Sequence, residues 1–210
     1  MKTKKLVVSA VMLAIATVLS FFQPFQLPFG GGITLASMMP LVIIAYIYGT
    51  KWGLLSGFVY SVLQMILGMK GVAALFLPGE SQMAVPAALG VCLFDYILSS
   101  TMLGFGGIFK GKFKNSATEI CLGSIVALFL KYVMHVISGA LFYGMWAEWF
   151  FTQEGFYAIG SKILNTFSGT ELSIVYSLFY NALYMFPEII ITAIVTPIVY
   201  KAIEKSNLAS

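Results

Sequence analysis

A chain of 210 residues in which 60% are hydrophobic and only 10% charged, at a mean hydropathy of +0.93, is far more apolar than a soluble domain, which carries about 25% charged residues. That composition excludes a soluble enzyme and reads as an integral membrane protein. The net charge of +4 comes with no basic surface suited to nucleic acid.

Apolar runs able to cross about 30 Å of hydrocarbon, at about 1.5 Å per helical residue, occupy 6–22, 33–48, 52–68, 84–109, 118–143 and 173–200. They predict an all-α integral membrane protein, with six transmembrane helices in one bundle forming one domain over residues 1–210. The first run follows Lys2, Lys4 and Lys5, an arrangement that signal peptides share. It continues to Phe22 without a small-residue cleavage site, which predicts a retained span. Inside it, Ala10 and Ala14 make a small-xxx-small pattern that lets helices approach closely, either within the bundle or against another protein.

The second run is short, and Pro40 within it predicts a kink. Run three carries Tyr60 and Gln64, and run four carries Asp95 and Tyr96. On run five, Lys131, His135, Ser138 and Phe142 share a stripe at helical spacing; on run six, Tyr176, Tyr180, Asn181, Tyr184 and Glu188 share a broad arc. Between these two, residues 144–172 open with Trp146, Trp149, Phe150 and Phe151. That cluster reads either as an interfacial aromatic belt or as a lid over an external pocket. Cys92 and Cys121 lack CxxC spacing and read as reduced packing residues.

Orientation follows from lysine, since all 12 basic residues are Lys. Lys2, Lys4, Lys5, Lys51, Lys110, Lys112, Lys114, Lys201 and Lys205 fall on one side of the six-span arrangement, Lys70 and Lys162 on the other, and Lys131 inside a span. The excess predicts that both termini are cytoplasmic.

Counting residues also predicts depth. Entering from outside near Ala84, Asp95 lies about 11 residues, or roughly 16 Å, down its helix. His135 and Asn181 each lie about 8 residues, or roughly 12 Å, below the same surface. Ionisable groups inside hydrocarbon are costly and usually pair with one another or line a pathway or ligand site. One reading is a polar network, Asp95 with Lys131 or His135, that only holds helices together. The other is a pocket for a flat, polar ligand, neutral or cationic, in which the carboxylate supplies charge and hydrogen-bond acceptance, Asn and His fix orientation, and aromatic faces attract cations. Collection of these groups near the outer face, beside a ring of tyrosines, favours the pocket.

Catalytic and metal readings fare worse. A single His excludes a multi-histidine metal centre, and neither an HExxH pattern nor a nucleophile elbow is present. Gly106 to Phe113 imitates a phosphate-binding loop, but Phe113 replaces the Ser or Thr that would bind Mg²⁺, and the stretch follows a membrane helix rather than a strand. The chain is therefore expected to have no enzymatic activity and no cofactor, so any uphill transport needs energy supplied by another protein.

Gly30-Gly31-Gly32-Ile33-Thr34 through Pro40, Phe94-Asp95-Tyr96, the block Leu130 to Gly139 around Lys131 and His135, and Tyr176 to Ala182 around Asn181 resemble the thiamine-specific substrate-binding subunits of energy-coupling factor (ECF) transporters. The likeness covers nearly the whole chain. It implies a subunit of the prokaryotic plasma membrane that captures thiamine from outside. Its partners would be a transmembrane coupling protein and two cytoplasmic ATPases, which alone use ATP.

Carried over position by position, the resemblance puts Asp95, Tyr96, His135, Tyr176 and Asn181 against thiamine, with Lys131, Tyr143, Trp146 and Tyr60 as further contacts. It assigns Ala10 and Ala14 to the coupling protein. Where some members stack a Trp on the ligand, this chain has Tyr143, Tyr60 and Gly31, with Trp146 as a substitute ring. Residues 69–83 also form a longer segment than relatives carry. A subunit for riboflavin, niacin or biotin, or a secondary transporter using Asp95 and His135 as a proton relay, are the alternative readings.

Overall fold

In the computed structural model, residues 2–27 and 30–205 are described; the outermost parts of the expected 1–210 domain, 1 and 206–210, lie outside them. Helix α1, Lys2–Ser20, turns Leu13 and Ala16 inward and leaves Leu6, Val7, Val11 and Val18 exposed. A two-residue hairpin follows, β1 Phe25–Gln26 against β2 Gly32–Ile33, antiparallel with Phe25 opposite Ile33. Helix α2, Met39–Tyr48, is the centre of the molecule, with Leu41, Val42, Ile43, Ile44 and Ala45 at 0–1% exposure.

The expected second span, 33–48, is therefore corrected. Its first residues are strand and loop, and helix starts only at Met39. Pro40 lies in the first turn, where its missing N–H has no intrahelical acceptor to lose, so it opens the helix instead of kinking it. Gly49, at φ 88°, separates α2 from α3, Thr50–Leu67. A side chain with a Cβ strongly resists that backbone conformation. Helix α3 buries Tyr60 together with Gly53, Ser56, Gly57 and Ser61, the last four a small-residue stripe at helical spacing suited to close packing in a membrane. Helix α4, Met69–Ala74, lies in the following connection.

The fourth predicted span is helical but changes pitch three times: α5 Val85–Val91, π-helical turns at Cys92–Leu98, α6 Ser99–Thr101, then a 3₁₀ segment at Met102–Gly107. Hydroxyls stabilise the change, with Ser99 Oγ donating to the Asp95 carbonyl at 2.5 Å and Thr101 Oγ1 to Ile97 at 2.6 Å. Glycines let the thinner segment press on its neighbours. A Cβ on Gly104 would lie 2.2 Å from the Leu54 nitrogen, and one on Gly107 2.2 Å from the Ala45 carbonyl oxygen. Backbone cannot move aside as a side chain can, so Gly104→Ala is expected to cost about 1–3 kcal/mol, seen as a lower thermal midpoint in detergent.

Helix α7 covers Ser116–Phe142. After a 3₁₀ turn at Gly144–Trp146 come α8 Ala147–Phe151, another turn at Glu154–Phe156, and α9 Tyr157–Thr166. Helix α10, Gly169–Lys205, shares its largest interface with α7. The stretch resembling a phosphate loop already has its acceptor. Glu119 takes the Phe113 N–H at 2.8 Å and the Tyr46 hydroxyl at 2.5 Å, so a carboxylate caps the loop that would otherwise face an anion.

Four stretches, Thr3–Ser20, Val85–Gly107, Ser116–Phe142 and Gly169–Lys205, are long and apolar enough to cross a membrane by length and composition. The fold is that of an all-α membrane protein with one minimal hairpin. The ten residues of α2 rise about 15 Å and the 18 of α3 about 27 Å.

Candidate functional site

A cavity of about 610 Å³ opens at the end of the bundle that carries the hairpin, and all nine residues singled out for the ligand line it. Tyr60 comes from α3, Asp95 and Tyr96 from the π-helical turns, and Lys131 and His135 from α7. Tyr143 and Trp146 follow α7, and Tyr176 and Asn181 face in from α10. The wide turns matter because an extra residue per turn shifts the phase of the helix, and such bulges are frequent at functional sites.

Asp95 is the polar centre. His135 Nδ1 lies 2.8 Å from its Oδ1, and Ser138 Oγ donates to its Oδ2 at 2.6 Å. An ionised carboxylate only accepts, so opposite one His135 carries a proton on Nδ1. The Asp95 side chain keeps 21% exposure and that of His135 12%, so this pair is immobilised yet still faces the cavity. Of the two partners considered for Asp95, His135 holds the position; Lys131 donates instead to Ser99 Oγ at 3.3 Å.

Asn181 is fixed as firmly. Its Nδ2 donates to the Ser177 carbonyl at 2.9 Å and lies 3.3 Å from the His135 carbonyl, while its Oδ1 accepts from Tyr184 Oη at 2.7 Å. One Oδ1 lone pair remains to offer a ligand. Gly139 makes this junction possible, since a Cβ there would lie 2.2 Å from Ser177 Oγ.

Rings enclose the rest. Tyr176 is 2% exposed and packs edge-on against Phe150 at 5.4 Å between centroids. Phe150 and Phe151 are 4% and 1% exposed, and Phe150 also packs on Tyr180 at 5.6 Å. Within the aromatic cluster after α7, Trp146 lines the cavity and Phe150 packs behind two of its tyrosines, while Trp149 is exposed. Two tyrosines of the sequence's arc also line the cavity although only their neighbours were singled out: Tyr180 and Tyr184. Their four-residue spacing was the available signal. The walls contributed by Gly30, Gly31, Gly32, Thr34 and Ser37, and by Gly71 and Glu80 to Met83, were marked in the sequence by the resemblance and by segment length alone, because short connecting segments carry no helical periodicity that would give their depth.

Among the described residues, no group of three or more His, Cys, Asp or Glu side chains is arranged to hold a metal ion. Ala10 and Ala14 lie on the exposed face of α1, away from the cavity, which removes internal packing as the reason for their spacing.

A family model described as thiamine transporter protein matches residues 6–150. The chain is also 30% identical over 202 residues to the thiamine transporter ThiT of Bacillus subtilis (strain 168), covering 91% of this chain and 87% of that protein. The chain belongs to the thiamine transporter family. Its fold is similar to that of ThiT from Listeria monocytogenes, with a TM-score of 0.67 at 21% identity over 99% of this chain and 98% of that one. This family member is accordingly a multi-pass cell-membrane protein. The family model ends before α10 begins, so Tyr176 and Asn181 enter the candidate site through the geometry of the cavity and not through that match.

Proposed function

We propose that this chain captures thiamine from the extracellular side of the cell membrane and delivers it inward as the substrate-binding subunit of an ATP-driven ECF transporter. The observation that carries the reading is the Asp95 carboxylate, held by His135 and Ser138, opening into an aromatic-lined cavity. Thiamine combines a permanent thiazolium charge, a flat aminopyrimidine and a hydroxyethyl tail. A fixed carboxylate attracts the charge and accepts from an amino group, aromatic faces bind both rings, and the remaining polar side chains serve the tail. The volume lies in the range of pockets that enclose small molecules, about 300–1,000 Å³.

In this reading Asp95, Tyr96, His135, Tyr176 and Asn181 contact the vitamin, with Lys131, Tyr143, Trp146 and Tyr60 completing the enclosure. The chain forms one domain of six membrane-crossing helices, α2 and α3 adding to the four longest stretches, and both termini are cytoplasmic. The lysine asymmetry supports that orientation. The chain itself hydrolyses nothing. Two cytoplasmic ATPases act through a transmembrane coupling protein that docks on the Ala10 and Ala14 face.

Titration calorimetry of the purified protein against thiamine, riboflavin, niacin and biotin tests the ligand. Thiamine alone is expected to give saturable heat at micromolar protein. Preferential binding of another vitamin would overturn the reading.

A further inference from the structure

One buried ionisable group outside the cavity lining has no role in ligand contact. Glu188 on α10 is 0% exposed, one carboxylate oxygen accepts the backbone N–H of Thr34, and the other meets no donor in the protein among the described residues. A carboxylate buried at membrane depth is costly. So is an unpaired N–H in an irregular segment. The two meet where the turn of the hairpin and the stretch that follows β2 form a cavity wall with Gly30, Gly31, Thr34 and Ser37.

Glu188 is the last of three α10 residues spaced by four that grip this wall. Tyr180 Oη donates to the Gly30 carbonyl at 3.1 Å. The Tyr184 ring lies so close to Gly31 that a Cβ there would be 2.5 Å from it. The wall has left-handed backbone at Gly30, Gly31 and Ala36, with φ of 90°, 84° and 56°. Its internal bonds, Thr34 Oγ1 to Ser37 Oγ at 2.8 Å and Ser37 N to Thr34 Oγ1 at 3.2 Å, fix its shape but not its position on α10. We propose that Glu188 is a positioning residue: its carboxylate anchors the Gly30–Ser37 segment to α10 through the Thr34 N–H and so holds the cavity wall in place.

Three variants separate an acceptor at this point from charge or bulk. Glu188→Gln keeps an oxygen at the same reach, Glu188→Asp keeps the charge but withdraws the oxygen, and Glu188→Met fills the space without an acceptor. The first readout is hydrogen–deuterium exchange of ligand-free protein in detergent. Peptides covering 30–37 are expected to exchange at least tenfold faster in the Asp and Met variants and within threefold of the parent in the Gln variant, with α7 peptides unchanged in all three.

The second readout, which rests on thiamine being the ligand, is its dissociation rate, expected to rise about tenfold for Asp and Met and less than threefold for Gln. Parental exchange at 30–37 in both Asp and Met, or Gln behaving like Met, overturns the proposal. If Met does not fold, the Gln and Asp pair still decides between acceptor position and charge. Absence of thiamine binding in the parent protein would overturn the ligand reading and leave the exchange experiment intact.

Discussion

Asp95→Asn is expected to weaken thiamine binding about a hundredfold, roughly 2.8 kcal/mol at 1.4 kcal/mol per factor of ten, without loss of the folded protein. Asn has nearly the shape of Asp, so packing in the π-helical turns survives. What changes is the polar pattern. Both carboxylate oxygens accept, one from His135 Nδ1 at 2.8 Å and one from Ser138 Oγ at 2.6 Å. The amide of Asn offers one acceptor and one donor, so either His135 or Ser138 must reverse its role.

The amide also carries no charge to set against a cation, and hydrogen bonds to charged groups are roughly twice as strong as neutral ones. Calorimetry on Asp95→Asn beside Ser138→Ala separates the two effects. Loss of one neighbour of the carboxylate should cost Ser138→Ala about tenfold, well short of the loss for the charge itself. Affinity in Asp95→Asn equal to the parent would remove this carboxylate from the binding site.

How much of the site the sequence disclosed depends on regularity. Asp95, His135 and Asn181 were legible because each sits in a long apolar run, where a polar residue stands out and helical rise converts residue number into depth. Their convergence on one cavity follows from that arithmetic. The count still missed which neighbour Asp95 would choose. Lys131 and His135 lie one turn apart on the same stripe, and Asp95 itself sits in the π-helical turns at Cys92–Leu98, whose departure from regular helical phase no hydrophobic pattern announces.

The second span failed for a related reason. Residues 33–38 are apolar enough to read as helix, yet Ile33 pairs with Phe25 and Ala36 takes φ 56°. Pairing with a strand and contact with α10 are tertiary facts that hydropathy does not carry. The aromatic cluster after α7 left two readings open in the sequence, because Trp and Phe suit a membrane interface and a pocket lid equally. Phe150 packs on Tyr176 and Tyr180, a tertiary contact that residue type alone does not announce.

Ala10→Trp and Ala14→Trp are each expected to abolish thiamine uptake by cells and co-purification with a coupling protein, while thiamine affinity of the isolated subunit stays within twofold of the parent. The separation of the two effects comes from placement. Neither alanine lines the cavity, and both lie on the exposed face of α1, whereas Leu13 and Ala16, at 8% and 0% exposure, face the core. Alanines four apart on one face remove side-chain bulk along a strip, so that a partner helix can lie close and gain backbone-level van der Waals contact.

An indole in that strip holds the partner away and forfeits the contact along its length. The same substitution is harmless if the strip merely faces lipid, because Trp and Ala are both readily accommodated beside hydrocarbon chains and membrane interfaces. Uptake at the parental rate in both variants would therefore mean that α1 meets only lipid here, and that the docking surface for an energising partner lies on another helix.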